Sequence, residues 1–442
     1  MTTQTLAPTA PSSHVQGLRC RRCGQPQPIG PSFVCPACFG PLEVVYDLAA
    51  SRAALDAAAI ATRPAGIWRY LELLPVDAPP ARALAVGGTA LVRADRLAKA
   101  LGVRTVWLKD DSRNPTLSFK DRVVAMAAAR AVEFGFDTLA CASTGNLAGA
   151  TAAAAAVAGL RSVVFIPADL EPAKVAHALA YGATVVPVRG TYDQVNRLSL
   201  EVAGDVPWAF VNVNLRPYYA EGSKTLAFEV AEELGWRLPD AFVAPLASGS
   251  LYVKTGKAAR ELAEVGLVES RPVRFVGGQP DGCAPIARAF AAGTSVIEPV
   301  RQPDTIVKSL AIGDPADGPY ALELARESGG SLESVPDAAT AAAIRLVAET
   351  EGIYTETAGG VTVAALQQAI ARGVVRPADE VVVLLTGNGL KTPDARSFGR
   401  PDQASLPDAG ASAGGGARPG EAGLAEPIAP SMAAFEAWFE GA

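Results

Sequence analysis

The sequence predicts an α/β fold, with parallel sheets covered by helices on both faces and a small cysteine module ahead of them. Three observations carry that expectation. From about residue 85 to 395, short apolar runs alternate with Ala-rich stretches of about a dozen residues, the order that successive βαβ units impose. Apolar residues make up 49% of the 442 and charged ones 19%, enough to bury the cores of two or three domains. Four of the six cysteines fall within residues 18–48.

Taken in order, residues 1–16 are a Ser/Thr/Pro/Ala stretch, read as a disordered leader. Residues 17–50 hold CRRC (Cys20, Cys23) and CPAC (Cys35, Cys38), separated by 11 residues. Each pair brings two sulfurs to one tight turn, and two facing turns complete a tetrahedral Zn²⁺ site, a zinc ribbon. Disulfides are the competing reading and are disfavoured in a reducing compartment. The body runs over 51–395, with a smaller subdomain at about 125–220. TVWLK leads to a helix after Lys120, TLACA to NLAGATAAAAAVAGL, and SVVFIPA to EPAKVAHALAYGA. TVVPV precedes TYDQVNRLSLEVAGDV, AFVAPLA precedes LYVKTGKAARELAEVG, VRFVGG precedes CAPIARAFAAG, and EVVVLLTG closes the series. Residues 396–442 read as a low-complexity linker ending in a short amphipathic helix, PSMAAFEAWFEGA. Cys141 and Cys283 stand alone and read as buried small residues.

Charge and composition exclude several functions. A net charge of −6 and a pI near 5.3 argue against nucleic acid or an anionic membrane as the main partner. No apolar run approaches the ~18 residues a bilayer span needs, and the N-terminus lacks the pattern of a secretory signal, so a cytoplasmic protein is expected. An assembly of identical chains stays open. The only histidines are His14 and His177, so Ser-His-Asp or Cys-His chemistry would rest on His177 alone, and a His-rich metal site is excluded.

Chemistry concentrates instead where strands end. NPTLSFKDR (114–122) sets Lys120 behind Phe119 at the start of a helix, beside Asp121 and Arg122. Three small-residue loops, CASTGNLAGA (141–150), PLASGSLYVKTG (245–256) and LLTGNGLKT (384–392), follow predicted strands, where open α/β sheets place ligands. The second lets backbone N–H groups approach a phosphate at a helix start. Neither Walker nor GxGxxG spacing is present, so a nucleoside-triphosphate site is not supported. An apolar setting favours the neutral amine a Schiff-base lysine needs. A phosphate-bearing aldehyde that bonds lysine and withdraws electrons is pyridoxal phosphate (PLP).

NPTLSFKDR, ASTGN, PLASGS, KSLAIGDPADG, ETAGGVT and TGNGLKT, in this order behind a CxxC ribbon, resemble the threonine synthases, long bacterial form. These belong to the fold type II, tryptophan-synthase-β-like PLP enzymes. The resemblance covers about residues 18–395 and implies two parallel-sheet αβα domains with the cofactor between them. It implies that Lys120 bonds the cofactor and then shuttles protons, that Asn146 meets the 3-hydroxyl oxygen, and that Thr386 meets the pyridine nitrogen. The amides around Ala247, Ser248, Gly249, Ser250 and Leu251 would hold the cofactor phosphate, and Ser143 and Thr144 the substrate carboxylate. The implied reaction converts O-phospho-L-homoserine and water to L-threonine and phosphate by β,γ-elimination and replacement, the last step of threonine biosynthesis. Its nearest alternatives are a threonine or serine dehydratase or cysteate synthase; a PLP-binding or ribbon protein without catalysis is the alternative from another class. Three departures stand out: ASGS is less Gly-rich than shorter relatives have it, Thr-Ala-Leu (89–91) replaces Thr-Pro-Leu, and Tyr219 stands where many shorter relatives carry an Arg near the substrate phosphate. Arg216, Lys224 and Lys308 are the candidates to compensate.

Overall fold

A computed structural model describes residues 13–143, 145–170, 172–392 and 423–440. Most of the expected leader and linker therefore lies outside the described residues. The first strand, β1 (Val15–Cys20), already pairs antiparallel with β2 (Pro26–Gln27) and β3 (Leu42–Tyr46). This moves the start of the ribbon ahead of residue 17, because the pairing of Val15 with Tyr46 recruits residues that composition assigned to the leader.

Two larger sheets follow. One has β4 (Leu91–Arg93), β5 (Thr105–Asp110), β10 (Ala241–Pro245), β11 (Arg274–Pro280), β12 (Ser331–Val335) and β13 (Glu380–Leu385), in spatial order β12-β11-β10-β13-β5-β4. All its neighbours are parallel except the β4 edge. The other contains β6 (Thr138–Ala142), β7 (Arg161–Pro167), β8 (Thr184–Val188), β9 (Ala209–Phe210) and β14 (Gly423–Leu424), in the order β14-β8-β7-β6-β9, all parallel. Central strands such as EVVVLL and TVVPV are buried at every residue, which is why they read as continuous apolar runs rather than alternating ones. The helix Met432–Glu440 returns to the second sheet, with Phe435 buried against Phe165 and Trp208.

The ribbon is docked on the body by charge. Glu221, fully buried, receives Lys224, Lys254 and Lys257, and the ribbon's Glu43 shares the last two. Tyr46 adds a hydroxyl donated to Glu221 at 2.9 Å, and Tyr218 bonds the backbone of Gly30. The four ribbon sulfurs lie within 4.8 Å of one another, with Cys20–Cys38 at 3.4 Å and Cys23–Cys35 at 3.7 Å. A tetrahedron of Zn–S bonds of about 2.3 Å has edges of about 3.8 Å, so the donor set fits zinc. The N–H groups of Cys23 and Arg22 point at Cys20 Sγ and pull that thiol down to about 6, toward the thiolate a metal takes. Cys141 and Cys283 are both buried.

Candidate functional site

Lys120 is the first residue of the helix Lys120–Glu133. The segment before it turns through Leu117, whose φ of 62° is left-handed, and is stitched to the loop after β13. Phe119 N–H donates to Thr386 O at 2.9 Å and Asn388 N–H to Leu117 O at 3.1 Å. Asp121 does not cap the helix: its carboxylate accepts the N–H and hydroxyl of Thr116, both at 2.7 Å, closing the turn instead. Arg122 is completely buried, forked onto Asp111 at 2.7 and 2.9 Å and onto Glu229 at 2.7 Å by each of two nitrogens. The helix start is thereby fixed from both sides, and the Lys120 side chain projects into a cavity of about 190 Å³.

The three strand-end loops converge on that cavity. Lys120, Ser143, Asn146, Ala247, Ser248, Gly249, Ser250, Leu251 and Thr386 all line it, although they come from the ends of β6, β10 and β13 and from the turn after β5. Thr144 lies outside the described residues. Ser143 Oγ accepts the N–H groups of Gly145 and Ala148, both at 2.9 Å, so it also caps the helix Asn146–Ala158. Gly249, at φ +97°, turns the chain into the helix Ser250–Glu264, and a Cβ there would press on the backbone of Asp317 at 3.1 Å. Only glycine both adopts that backbone and leaves the room.

Of the three cations proposed for a substrate phosphate, the fold brings one to the cavity. Arg216 lines it and donates to Asp317 Oδ2 at 2.8 Å; against the effect of burial, Asp317 holds the guanidinium above its usual range. Lys224 is removed from the candidates. It is fully buried, bonded to Leu73 O at 2.8 Å and paired with Glu221 and Glu261 at 2.7 Å. Lys308 is removed too. It points to solvent from the turn Lys308–Leu310, whose other two residues face the cavity.

Two groups facing the cavity had no role assigned from sequence. Tyr219 O–H lies 3.3 Å from Lys120 Nζ and accepts a hydrogen bond from the lysine. Glu356, nine-tenths buried and more, accepts Asn146 Nδ2 at 2.8 and 3.1 Å. It stands at the head of ETAGGVT, directly before a helix of small residues, which was the available signal. A carboxylate only accepts, so it turns the Asn146 amide nitrogen toward itself; Asn146 Oδ1 has no partner among the described residues. Burial pushes Lys120 down to about 8, with Glu356 opposing. Burial also pushes the Cys141 thiol up to about 12.

These features fit pyridoxal phosphate. A lysine with a weakened hold on its proton, an orphaned buried amide oxygen and a glycine-bearing helix start supply an amine, a polar partner and an anion cradle around one cavity.

Comparison with known proteins agrees. Residues 82–387 match the family model described as pyridoxal-phosphate dependent enzyme. The chain is 34% identical to a threonine synthase of Methanocaldococcus jannaschii, covering 85% of this chain and 93% of that one. It is 36% identical to that of Methanosarcina acetivorans, with 85% and 92% covered, and 36% identical to that of Mycobacterium tuberculosis, with 78% and 93% covered. Among solved structures it resembles a T.th. threonine deaminase (TM-score 0.54, 27% identity, 68% of this chain and 92% of that one). It shares its fold with a fungal L-serine ammonia-lyase from Rhizomucor miehei (TM-score 0.58, 21% identity, 68% and 93%).

Proposed function

The chain belongs to the threonine synthases within the pyridoxal-phosphate dependent enzymes, and from that premise we propose that it converts O-phospho-L-homoserine and water to L-threonine and phosphate. The observation that carries this reading is the convergence of Lys120, Asn146, the Ala247–Leu251 cradle and Thr386 on one cavity. Bound pyridoxal phosphate supplies the electron withdrawal that lets protons leave the carbons of the amino acid.

The remaining work falls to side chains of this chain. With burial holding it near 8, Lys120 is partly neutral at physiological pH, so it can anchor the cofactor's aldehyde and later take and return a proton. Tyr219 is kept as a neutral phenol by burial, its pKa raised; its oxygen orients the lysine amine. Asn146, its amide nitrogen held by Glu356, leaves Oδ1 as an acceptor toward which the cofactor's 3-hydroxyl would donate. Thr386 would meet the pyridine nitrogen with a neutral hydroxyl rather than a carboxylate, which would leave that nitrogen largely unprotonated and moderate the electron withdrawal. Ser143 contributes to the carboxylate end of the substrate and Arg216 to its phosphate end, where a fork of N–H donors suits a phosphate. Water enters after phosphate leaves, which calls for closure of the two sheets' domains over the cavity.

Among the described residues no helix is long and apolar enough to cross a membrane. We place the enzyme in the cytoplasm, with a small molecule as its partner in the reaction. The test is phosphate release from O-phospho-L-homoserine with amino-acid analysis of the products, wild type against Lys120→Ala. Threonine and phosphate from wild type, with neither from Lys120→Ala, is the expected result. Ammonia as product would assign a dehydratase instead, and undiminished phosphate release by the variant would refute the role of Lys120.

A further inference from the structure

Among the described residues lining the cavity the cations are Lys120 and Arg216, against Glu356, Asp193 and Asp314. Attraction for a phosphoryl dianion therefore depends on how fully the charge of Arg216 is expressed. Its partner Asp317, in KSLAIGDPADG, would alone make a neutral pair with it. Asp317 is shared, however: Oδ2 takes Arg216 Nη2 at 2.8 Å, and Oδ1 takes Arg21 Nη1 at 3.3 Å. Asp317 is buried, and its backbone N–H donates to Ser248 O at 2.9 Å, in the small-residue loop.

Arg21 comes from the ribbon, between Cys20 and Cys23 of the first knuckle. Its backbone N–H donates to Pro41 O at 2.9 Å, and its guanidinium lies 3.3 Å from the ring centre of Tyr320, a cation–π seat that holds the fork in place. Arg21 also stands 4.0 Å from Glu43, a carboxylate already paired with Lys254 and Lys257, so the two guanidinium groups on Asp317 still sum to one positive charge beside the cavity. A carboxylate is also planar, so fixing Oδ1 orients Oδ2 and with it Arg216. We propose that Arg21 and Asp317 are positioning residues for the substrate phosphate: the ribbon knuckle, through this shared carboxylate, aims Arg216 and keeps its charge unspent. The ribbon thus contributes to affinity for a phosphorylated amino acid without touching it. This rests on the reading of Arg216 as the phosphate ligand.

The test compares holoenzymes carrying Arg21→Gln, Arg21→Lys and Arg216→Ala. It measures KM and kcat for O-phospho-L-homoserine, the Kd of inorganic phosphate by calorimetry, and zinc content by mass spectrometry. Arg21 is not among the clustered cysteines, so Arg21→Gln is expected to keep its zinc. It should raise both KM and the phosphate Kd about tenfold, the scale of a charge-assisted hydrogen bond, with kcat nearly unchanged; Arg21→Lys should recover part of the loss. Parent-like KM and Kd in Arg21→Gln, together with raised values in Arg216→Ala, would overturn the ribbon link and leave the phosphate role of Arg216 standing. Unchanged values in Arg216→Ala would overturn both. A rise confined to preparations that have lost zinc would also overturn the link, because it would report an unfolded ribbon.

Discussion

Replacing Arg122 with Met tests whether the buried charge cluster under Lys120 holds the site together. The substitution keeps an apolar stem of similar reach and removes the guanidinium, leaving Asp111 and Glu229 buried, with Lys109 still 2.8 Å from Glu229. Burial alone would push Glu229 up, yet Arg122, ahead of Lys109, holds its carboxyl down at about 2 instead of 4.5. That displacement corresponds to roughly 3 kcal/mol of preference for the ionised form, in line with the ~3–5 kcal/mol cost of breaking a buried ion pair from one side. An unfolding entropy of ~2.1 cal/mol/K per residue over the chain gives on the order of 0.9 kcal/mol per kelvin, so Arg122→Met should lower Tm by about 4 °C at pH 7. The sign with pH follows. Glu229 has a depressed folded pKa, so its stabilisation is present above pH 4.5 and lost as pH falls toward 2. In the variant the stranded carboxylates protonate at higher pH, so its deficit should narrow between pH 7 and pH 5. Circular dichroism melts of parent, Arg122→Met and Arg122→Met/Glu229→Gln, at both pH values, read this directly; the double variant should recover much of the loss. A variant melting within 1 °C of the parent, or a deficit that widens as pH falls, would refute the reasoning.

Further outcomes concern the lysine and the zinc. In cofactor-free protein, capture of the pyridoxal phosphate aldehyde, followed by absorbance, should speed up as pH rises through about 8, because Lys120 is charged below that value and neutral above it. By the same linkage the cofactor-free fold should gain stability between about pH 8 and 10.5, where the unfolded chain still holds the proton. Glu356→Gln removes the carboxylate that favours the charged lysine, so the capture midpoint should move below 8; a move upward would contradict that assignment. Mass spectrometry should find one zinc per chain. Chelation or Cys35→Ser should lower Tm, and added zinc should restore the chelated protein but not the variant.

What the sequence disclosed and what it hid divide along range of interaction. Lys120 was legible because its neighbours in sequence, the turn, Phe119 and the apolar helix, are also its surroundings. The central strands were legible because burial on both faces leaves unbroken apolar runs. Lys224 misled because its fate is decided by Glu261 and by the carbonyl of Leu73, 37 and 151 residues away. Glu356 belongs to a legible motif, but its role emerges only when the fold sets it against Asn146, 210 residues distant. The strand Ala209–Phe210 is two residues long, too short to carry a period. The partner of Asp121 was hidden as well: its carboxylate closes the preceding turn on Thr116.

The tail has a consequence beyond the chemistry. Gly423–Leu424 lies along β8 in register with Thr184 and Val185, and Ile428 bridges Val188. Without it, TVVPV would show water a row of unpaired N–H and C=O groups, a template on which another chain could add a strand. The protein fills that place with its own C-terminal segment, so copies cannot polymerise by pairing there. A chain cut ahead of residue 423 would bare this edge and also strip Phe435 from Phe165 and Trp208. Its first symptom would be insolubility, with every group around Lys120 still in the sequence.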